Sequence, residues 1–296
     1  MVIVLFVVML IGVLLGKMKV IDRHGESTLS FLIINVAMPM LIVASSNLEF
    51  DAETKKESLW LVIMAIIIFF FSIALAQLLL KKAATRCATV FSNAGYMGLP
   101  VLNHMLGAKG LFLGAIFQLV FNSFSWTYGI SLFTRSNKFS DSIKKMINPS
   151  LFAVIIGLGL MFTGYKIPPT IKSVLDMVGG LTTPLSMILI GVVLSRVKFI
   201  DVIKEKEIYK VIFLRLILIP LSVLLFLFFP NIPRISIYVL FILNAMPSAA
   251  VTGILATKYK KDEQLASSIV AFSTLLSVLT LYLITDIFDV ATLIGL

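Results

Sequence analysis

Two short segments combine glycine, proline and amide side chains inside otherwise apolar stretches of the sequence. The first is residues 92–100, SNAGYMGLP, and the second is residues 244–250, NAMPSAA. Proline removes a backbone donor and clashes with the preceding turn, and glycine permits non-helical dihedral angles. Each segment therefore predicts a helix that breaks and leaves backbone N–H and C=O groups without helical partners.

Broken helices of this kind can bind an anion. Half-helix N-termini that point inward present positive dipole ends and free N–H donors, which suit a carboxylate. Asn93, Asn103 and Asn244 add polar groups without a fixed charge. For either segment alone, a simple kink with satisfied asparagines is the alternative interpretation. The occurrence of a matched pair favours a site.

A third polar row predicts one face of the helix over residues 110–134. Gln118, Asn122 and Ser125 follow the i, i+4, i+7 spacing, and polar residues in a membrane span usually face the protein interior. Hydrogen bonding between helices is the alternative. The candidate substrate-binding residues are Asn93, Gly95, Gly98, Pro100, Asn103, Gln118, Asn122, Asn244, Pro247 and Ser248.

The candidate site contains no fixed acid or base. Arg215 lies only a few residues from Lys210, and we expect its side chain to extend to the membrane surface. The single cysteine, Cys87, and the two histidines, His24 and His104, have no metal-ligand spacing. No phosphate-binding loop indicates an ATP-driven pump, and neither a His-Glu-x-x-His motif nor a pair of aspartates within the spans indicates a protease. We therefore expect neither a cofactor nor an enzymatic activity.

The composition predicts a chain embedded in a membrane. Of its 296 residues, 59% are hydrophobic and 14% are charged, whereas about a quarter of a soluble domain is charged. The net charge of +10 comes from lysines and arginines in short loops, and no nucleic-acid-binding motif accompanies them. The positive charge is therefore interpreted as a topology signal.

Ten apolar stretches are predicted to cross the bilayer, and we number them as spans 1 to 10. Spans 1 to 5 lie near residues 2–16, 28–47, 59–80, 85–106 and 110–134. Spans 6 to 10 lie near residues 149–164, 171–195, 208–229, 235–257 and 263–288. With this division, 18 lysines and arginines lie on one side and 6 on the other. The positive-inside rule then predicts a multi-pass plasma-membrane protein with both termini extracellular.

An internal repeat is indicated by recurring glycines and prolines. Gly12 and Pro39 are 27 residues apart, as are Gly157 and Pro184. Because five spans is an odd number, two such units in tandem insert with opposite orientation, as in many secondary transporters. The predicted organisation is a first repeat at residues 1–134, a cytoplasmic linker at 135–148 and a second repeat at 149–296.

These motifs resemble the auxin efflux carrier family, within the bile-acid/arsenite/riboflavin transporter superfamily. The resemblance rests on residues 93–102, NAGYMGLPVL, and on 244–247, NAMP, followed by 256–259, ATKY. Residues 148–150, NPS, at the start of span 6 also fit. The similarity extends over essentially the whole chain, without the long central loop of plant members.

The resemblance implies an architecture in which spans 4 and 9 are broken and cross at Pro100 and Pro247. It implies a scaffold of spans 1, 2, 6 and 7, a moving transport domain of spans 3–5 and 8–10, and a homodimer. Asn93 falls where the family places an asparagine that contacts substrate, and Asn122 falls where plant members carry another polar residue. The family's substrates are organic anions.

The sequence therefore predicts an all-α membrane protein that transports small organic anions by alternating access with an elevator-like motion. A sodium-coupled symporter resembling the bile-acid branch is one alternative. A channel or a receptor-like membrane protein is another. The substrate, the direction of transport and the coupling ion are left open by the sequence.

Overall fold

The computed structural model describes residues 2–46, 51–134, 149–196 and 205–283. Every named element within these ranges is helical, which confirms the predicted all-helical class. The predicted linker 135–148, residue 47 at the end of span 2 and residues 284–288 at the end of span 10 lie outside the described residues.

Each predicted span coincides with one or more of the described helices. The first half contains α1 (Val2–Lys17), α2 (Arg23–Leu32), α3 (Met38–Ser45), α4 (Ala52–Leu79), α5 (Ala83–Val90), α6 (Leu99–Phe124) and α7 (Ile130–Phe133). The second half contains α8 (Pro149–Thr163), α9 (Pro169–Gly180), α10 (Thr182–Ser195), α11 (Lys206–Phe213), α12 (Ile219–Val223), α13 (Arg234–Ala245), α14 (Val251–Lys258) and α15 (Glu263–Tyr282). Within α6, Gly107 has φ 60° and ψ −148°, so the helix turns there between predicted spans 4 and 5.

Several helical stretches are suited to a bilayer by length and composition. Within the described ranges, six are long and apolar enough to cross it: Arg23–Ser45, Ala52–Leu79, Ala94–Phe133, Pro169–Ser195, Lys206–Phe228 and Glu263–Tyr282. Shorter apolar helices occur at Val4–Lys17, Pro149–Leu160 and Arg234–Ala245.

Three π-helical segments precede a proline by two residues. Ile33–Ala37 is followed by Pro39, Ala94–Gly98 by Pro100, and Leu214–Leu218 by Pro220. Proline cannot donate to the carbonyl four residues before it and crowds that carbonyl. A wider π turn lets the chain continue in helical form past each of these positions. The prolines therefore widen these helices locally without ending them.

The chain forms two compact units. Unit 1 consists of Met1–Lys56, Gly95–Ile116 and Ile147–Arg196, and unit 2 consists of Glu57–Ala94, Phe117–Met146 and Val197–Leu296. The candidate residues Gly95, Gly98, Pro100 and Asn103 belong to unit 1, and the remaining candidate residues belong to unit 2.

Unit 1 is held together by glycines at close helix–helix contacts. A Cβ atom at Gly12 of α1 would lie 2.2 Å from the Ile188 carbonyl oxygen of α10. A Cβ atom at Gly191 of α10 would lie 2.0 Å from the Met9 carbonyl oxygen of α1. Only glycine permits backbones to approach so closely. This close approach explains why span 1 carries a glycine at position 12.

Unit 2 contains a buried aromatic cluster next to the end of α5. The Phe69 ring stacks on the Phe124 ring at 4.7 Å and on the Phe117 ring at 5.8 Å. The Phe91 ring, which is fully buried, lies 6.0 Å from Phe69 and 5.5 Å from Phe121. Aromatic pairs at these separations stabilise beyond their buried area. The cluster therefore anchors the chain where α5 ends.

Candidate functional site: the crossing of two broken helices

Both predicted breaks occur in unit 2. Helix α5 ends at Val90, and Phe91 has extended backbone angles, φ −100° and ψ 115°. Helix α13 ends at Ala245, and Met246 is extended at φ −65° and ψ 149°. Helical structure resumes at Ala94 after the first break and at Val251 after the second. Span 9 thus breaks at Pro247 as predicted. Span 4 breaks at residues 91–93 and is helical through Gly95, Gly98 and Pro100, so the expected crossing at Pro100 is wrong: the segment that pairs with Pro247 precedes that proline.

The two non-helical segments pair with each other. Ser92 and Ser248 form an isolated antiparallel bridge. The Asn93 N–H donates to the Pro247 carbonyl at 2.7 Å, and the Ala249 N–H donates to the Phe91 carbonyl at 2.8 Å. We refer to residues 89–93 and 244–249, where the two breaks meet, as the crossing. The expectation of backbone groups without partners is therefore wrong for these four groups, because each break satisfies the other.

The second segment is also held by α15. The Ser248 N–H donates to the Ser273 hydroxyl at 3.1 Å. The Ser248 side chain is fully buried, and its hydroxyl oxygen has no hydrogen-bond partner within the described part of the chain. A buried hydroxyl without a partner is costly and usually has one, protein or water. This oxygen therefore has an unused capacity for a hydrogen bond at the crossing.

The two asparagines of the crossing differ in what their side chains do. Asn244 is 4% exposed, its amide donates to the Leu240 carbonyl at 2.9 Å, and its side-chain oxygen accepts from Arg215 at 3.3 Å. Asn93 is equally buried, and its side-chain amide makes no hydrogen bond to any described residue. Asn93 therefore has an unused donor and acceptor, whereas Asn244 is engaged in holding the structure.

Arg215 lies at the crossing, which corrects two expectations. Its side chain is fully buried, so it does not extend to the membrane surface. It donates from Nη1 to the Thr89 carbonyl at 3.1 Å and to the Val90 carbonyl at 3.3 Å, and from Nη2 to the Asn244 carbonyl. The region around the candidate residues therefore contains a fixed positive charge.

The opposite end of α5 carries negative charge. Lys82, at the N-cap, forms an ion pair with Glu205 at 2.9 Å, and the Thr85 hydroxyl donates to Glu207 at 3.0 Å. The hydrogen bond that Lys82 donates to the Glu205 carboxylate holds the pKa of Lys82 above its usual value. Carboxylates near a helix N-terminus and a cation at its C-terminus both complement the helix dipole. This short helix is therefore stabilised electrostatically at its two ends.

Gln118 and Asn122 are neighbours, as their spacing predicts. The Gln118 amide nitrogen lies 3.4 Å from the Asn122 side-chain oxygen, and both residues are half-buried. The Gln118 side-chain oxygen is buried and has no partner within the described ranges. The helix then widens into a π-helical segment at Ser125–Gly129, a geometry that is frequent at functional sites.

The remaining candidates lie further along the broken span. Gly95 and Gly98 fall within the π-helical segment Ala94–Gly98, and Pro100 follows it by two residues. Asn103 is half-buried and lies four residues before the turn at Gly107. The structure brings Asn93, Asn244, Pro247 and Ser248 together at the crossing. Gly95, Gly98, Pro100 and Asn103 are not among the residues that meet there.

Sequence reasoning missed the place of Arg215, although a signal for it exists. The residue is the one lysine or arginine that lies more than two residues inside a predicted span. Ionisable residues within membrane spans face the protein interior and mark functional sites by default. That rule outweighs proximity to Lys210, which suggested a side chain that reaches the membrane surface.

The chain is similar to known proteins over nearly its whole length. A family model described as membrane transport protein matches residues 1–143 and 133–285. An uncharacterized transporter of Methanothermobacter thermautotrophicus is 27% identical over 287 residues, which cover 93% of each chain. The uncharacterized transporter MJ1031 of Methanocaldococcus jannaschii is 26% identical, with 95% of this chain and 96% of the relative covered. The uncharacterized transporter YfdV of Escherichia coli is 23% identical over 93% of both chains.

Proposed function

Because this chain belongs to the membrane transport protein family, the auxin efflux carrier family that its sequence resembles, we propose that it is a secondary transporter of small organic anions. The observation that carries the proposal is the paired crossing, where the buried Asn93 amide has no partner among the described residues. Interrupted helices that meet in this way form the substrate sites of many secondary transporters.

The substrate class follows from the groups available at the crossing. Asn93 offers an amide donor. The Ala94 N–H donates to the Ser92 carbonyl at 2.7 Å, and the next N–H groups of the helical segment that begins at Ala94 have no intrahelical acceptors. Neutral donors and a helix N-terminus suit the delocalised charge of a carboxylate group. Gln118, Asn122 and Ser248 are the further candidate contacts. We therefore propose monocarboxylates or dicarboxylates as substrates.

The proposed architecture is two inverted five-span repeats. A Cβ atom at Gly12 of span 1 would meet span 7, and one at Gly157 of span 6 would lie 2.1 Å from Ser46 at the end of span 2. Exchanging the two repeats converts the first contact into the second, which supports an inverted repeat. The paired breaks of spans 4 and 9 support it in the same way.

The proposed mechanism is alternating access with an elevator-like motion. Unit 1 contains spans 1, 2, 6 and 7, which supports their assignment to a scaffold. Unit 2 contains spans 3, 8, 9 and 10 with most of span 5 and the first part of span 4, and these would move with the substrate. Residues 95–106 of span 4 belong to unit 1, so unit 2 does not contain the whole transport domain of spans 3–5 and 8–10 that the resemblance implies. A homodimer in the plasma membrane, as the family resemblance implies, would provide a fixed scaffold for this motion.

The first test is transport by purified protein in liposomes. Uptake of a labelled carboxylate is expected to saturate, and an excess of the same unlabelled carboxylate inside the vesicles is expected to accelerate it. A panel of monocarboxylates and dicarboxylates, each measured in sodium and in choline, identifies the substrate and separates a sodium-coupled symporter. Flux that rises linearly with concentration and shows no acceleration by internal substrate would indicate a channel.

The second test concerns topology. Since most loop cations lie on one side, we propose that both termini are extracellular. On a Cys87→Ala background, a cysteine at the exposed position Lys166 should react with an impermeant reagent in whole cells. A cysteine at the exposed position Lys260 should react only after the cells are permeabilised. The reverse labelling pattern would show that the chain is inserted the other way.

A further inference from the structure

The guanidinium of Arg215 lies between the C-terminal ends of two helices. Thr89 and Val90 are the last residues of α5, and Asn244 is next to last in α13. Their three carbonyl groups accept hydrogen bonds from Arg215. One side chain therefore caps both helices at the point where each one breaks.

The charge of the guanidinium matches that of the two helix ends. A helix C-terminus carries about −0.5 elementary charge, so two of them together carry about −1. None of the ion pairs among the described residues includes Arg215. Neutral carbonyls and the Asn244 side-chain oxygen accept its hydrogen bonds from Nη1 and Nη2, and its buried Nε has no partner within the described ranges. Arg215 is thus balanced by helix ends instead of by a carboxylate.

Carbonyls of unwound helices and half-helix C-termini are also the groups that coordinate a cation in many transporters. In this chain a covalently attached cation occupies such a position. We propose that Arg215 is the fixed cation of the crossing: it holds the two breaks together and neutralises both helix C-termini. The N-terminal ends at Ala94 and Val251 then remain as the positive side that attracts an anion. The binding part of this inference rests on the proposed function.

A rescue experiment separates the charge from the shape of this side chain. Arg215→Ala leaves a space of guanidinium size, so it should lower the melting temperature by on the order of 10 °C and weaken carboxylate binding. Guanidinium at about 10 mM should restore both the melting temperature and carboxylate binding in part, because the ion can occupy the space that the arginine side chain left. Urea at the same concentration has the same planar shape without charge and should restore neither.

Three further variants complete the design. Arg234→Ala removes an exposed arginine at the start of α13 and should change neither property. Arg215→Lys keeps the charge and should bind carboxylates more strongly than Arg215→Met, which has similar length without charge. If the alanine variant does not fold, comparison of the lysine and methionine variants shows whether the positive charge at position 215 is needed.

Several results would overturn the inference. Equal rescue by urea would show that Arg215 only fills space. Wild-type melting temperature and carboxylate binding in Arg215→Met would show that the charge is not needed. If the wild type binds no carboxylate, the proposed function fails, and the melting temperatures in guanidinium and urea still test the role of Arg215 in holding the crossing.

Discussion

Asn93→Asp is expected to abolish carboxylate binding and transport, whereas Asn93→Ala should only weaken them. The alanine variant loses one hydrogen bond to a charged group, which corresponds to an increase in Kd of about 10- to 100-fold. The aspartate variant has almost the same shape, but it places a negative charge where the substrate carboxylate would bind. In a buried environment that repulsion is much stronger than in water, so Kd should rise by on the order of 100-fold more.

The measurement is carboxylate-induced thermal stabilisation together with uptake into liposomes. Asn35→Asp is the matched control, because Asn35 is half-buried in unit 1 and its amide is already bonded to the Phe31 carbonyl at 2.9 Å. That variant introduces the same charge in unit 1 and should retain carboxylate affinity. Equal losses in the two Asn93 variants would show that Asn93 is structural, and normal transport by Asn93→Ala would remove it from the site.

Gly191→Ala is expected to produce the largest loss of stability in unit 1. The added Cβ would lie 2.0 Å from the Met9 carbonyl oxygen and 2.8 Å from the Val13 amide nitrogen. Both are backbone atoms, so no side chain can rotate to relieve the contact, and α1 and α10 must move apart. Overpacking of this kind costs about 3 kcal/mol of unfolding free energy, which lowers the melting temperature by several degrees.

Gly159→Ala provides the matched control within unit 1. A Cβ atom at this exposed position of α8 has nothing within 4 Å. Alanine there should leave the melting temperature unchanged or raise it, since replacing glycine in a helix stabilises by about 0.5 to 1 kcal/mol. Thermal unfolding of purified protein in detergent compares the two variants. A smaller fall for Gly191→Ala than for Gly159→Ala would contradict the close contact between α1 and α10.

The sequence alone was sufficient to find the helices and to locate where they break. Apolar runs of bilayer length must form helices, because no water is available to satisfy their backbone groups. Proline acts on its own turn of the helix, so residues 244–250 predicted the interruption at Pro247. The first interruption lies at residues 91–93, at the start of the predicted segment 92–100, whose glycines and proline remain helical. Gln118 and Asn122 became neighbours for the same local reason, since residues four apart share a helix face.

The partners of the crossing required the tertiary structure. The Asn93 N–H bonds to Pro247, which is more than 150 residues away, and the two Phe91–Ala249 groups are equally distant in sequence. No local pattern specifies which of many carbonyls will accept from a given amide. The sequence therefore predicted unsatisfied backbone groups, and packing paired four of them.

The different roles of Asn93 and Asn244 were also decided by packing. Sequence reasoning treated the two residues alike, although Asn93 lies in the non-helical segment after α5 and Asn244 lies within the last turn of α13. Arg215 accounts for the difference, because its guanidinium engages the Asn244 carbonyl and side-chain oxygen and leaves the Asn93 amide free. A long, flexible side chain can point in many directions from a helix. Only the carbonyls that surround it in the folded chain determine that Arg215 lies at the crossing and not at the membrane surface.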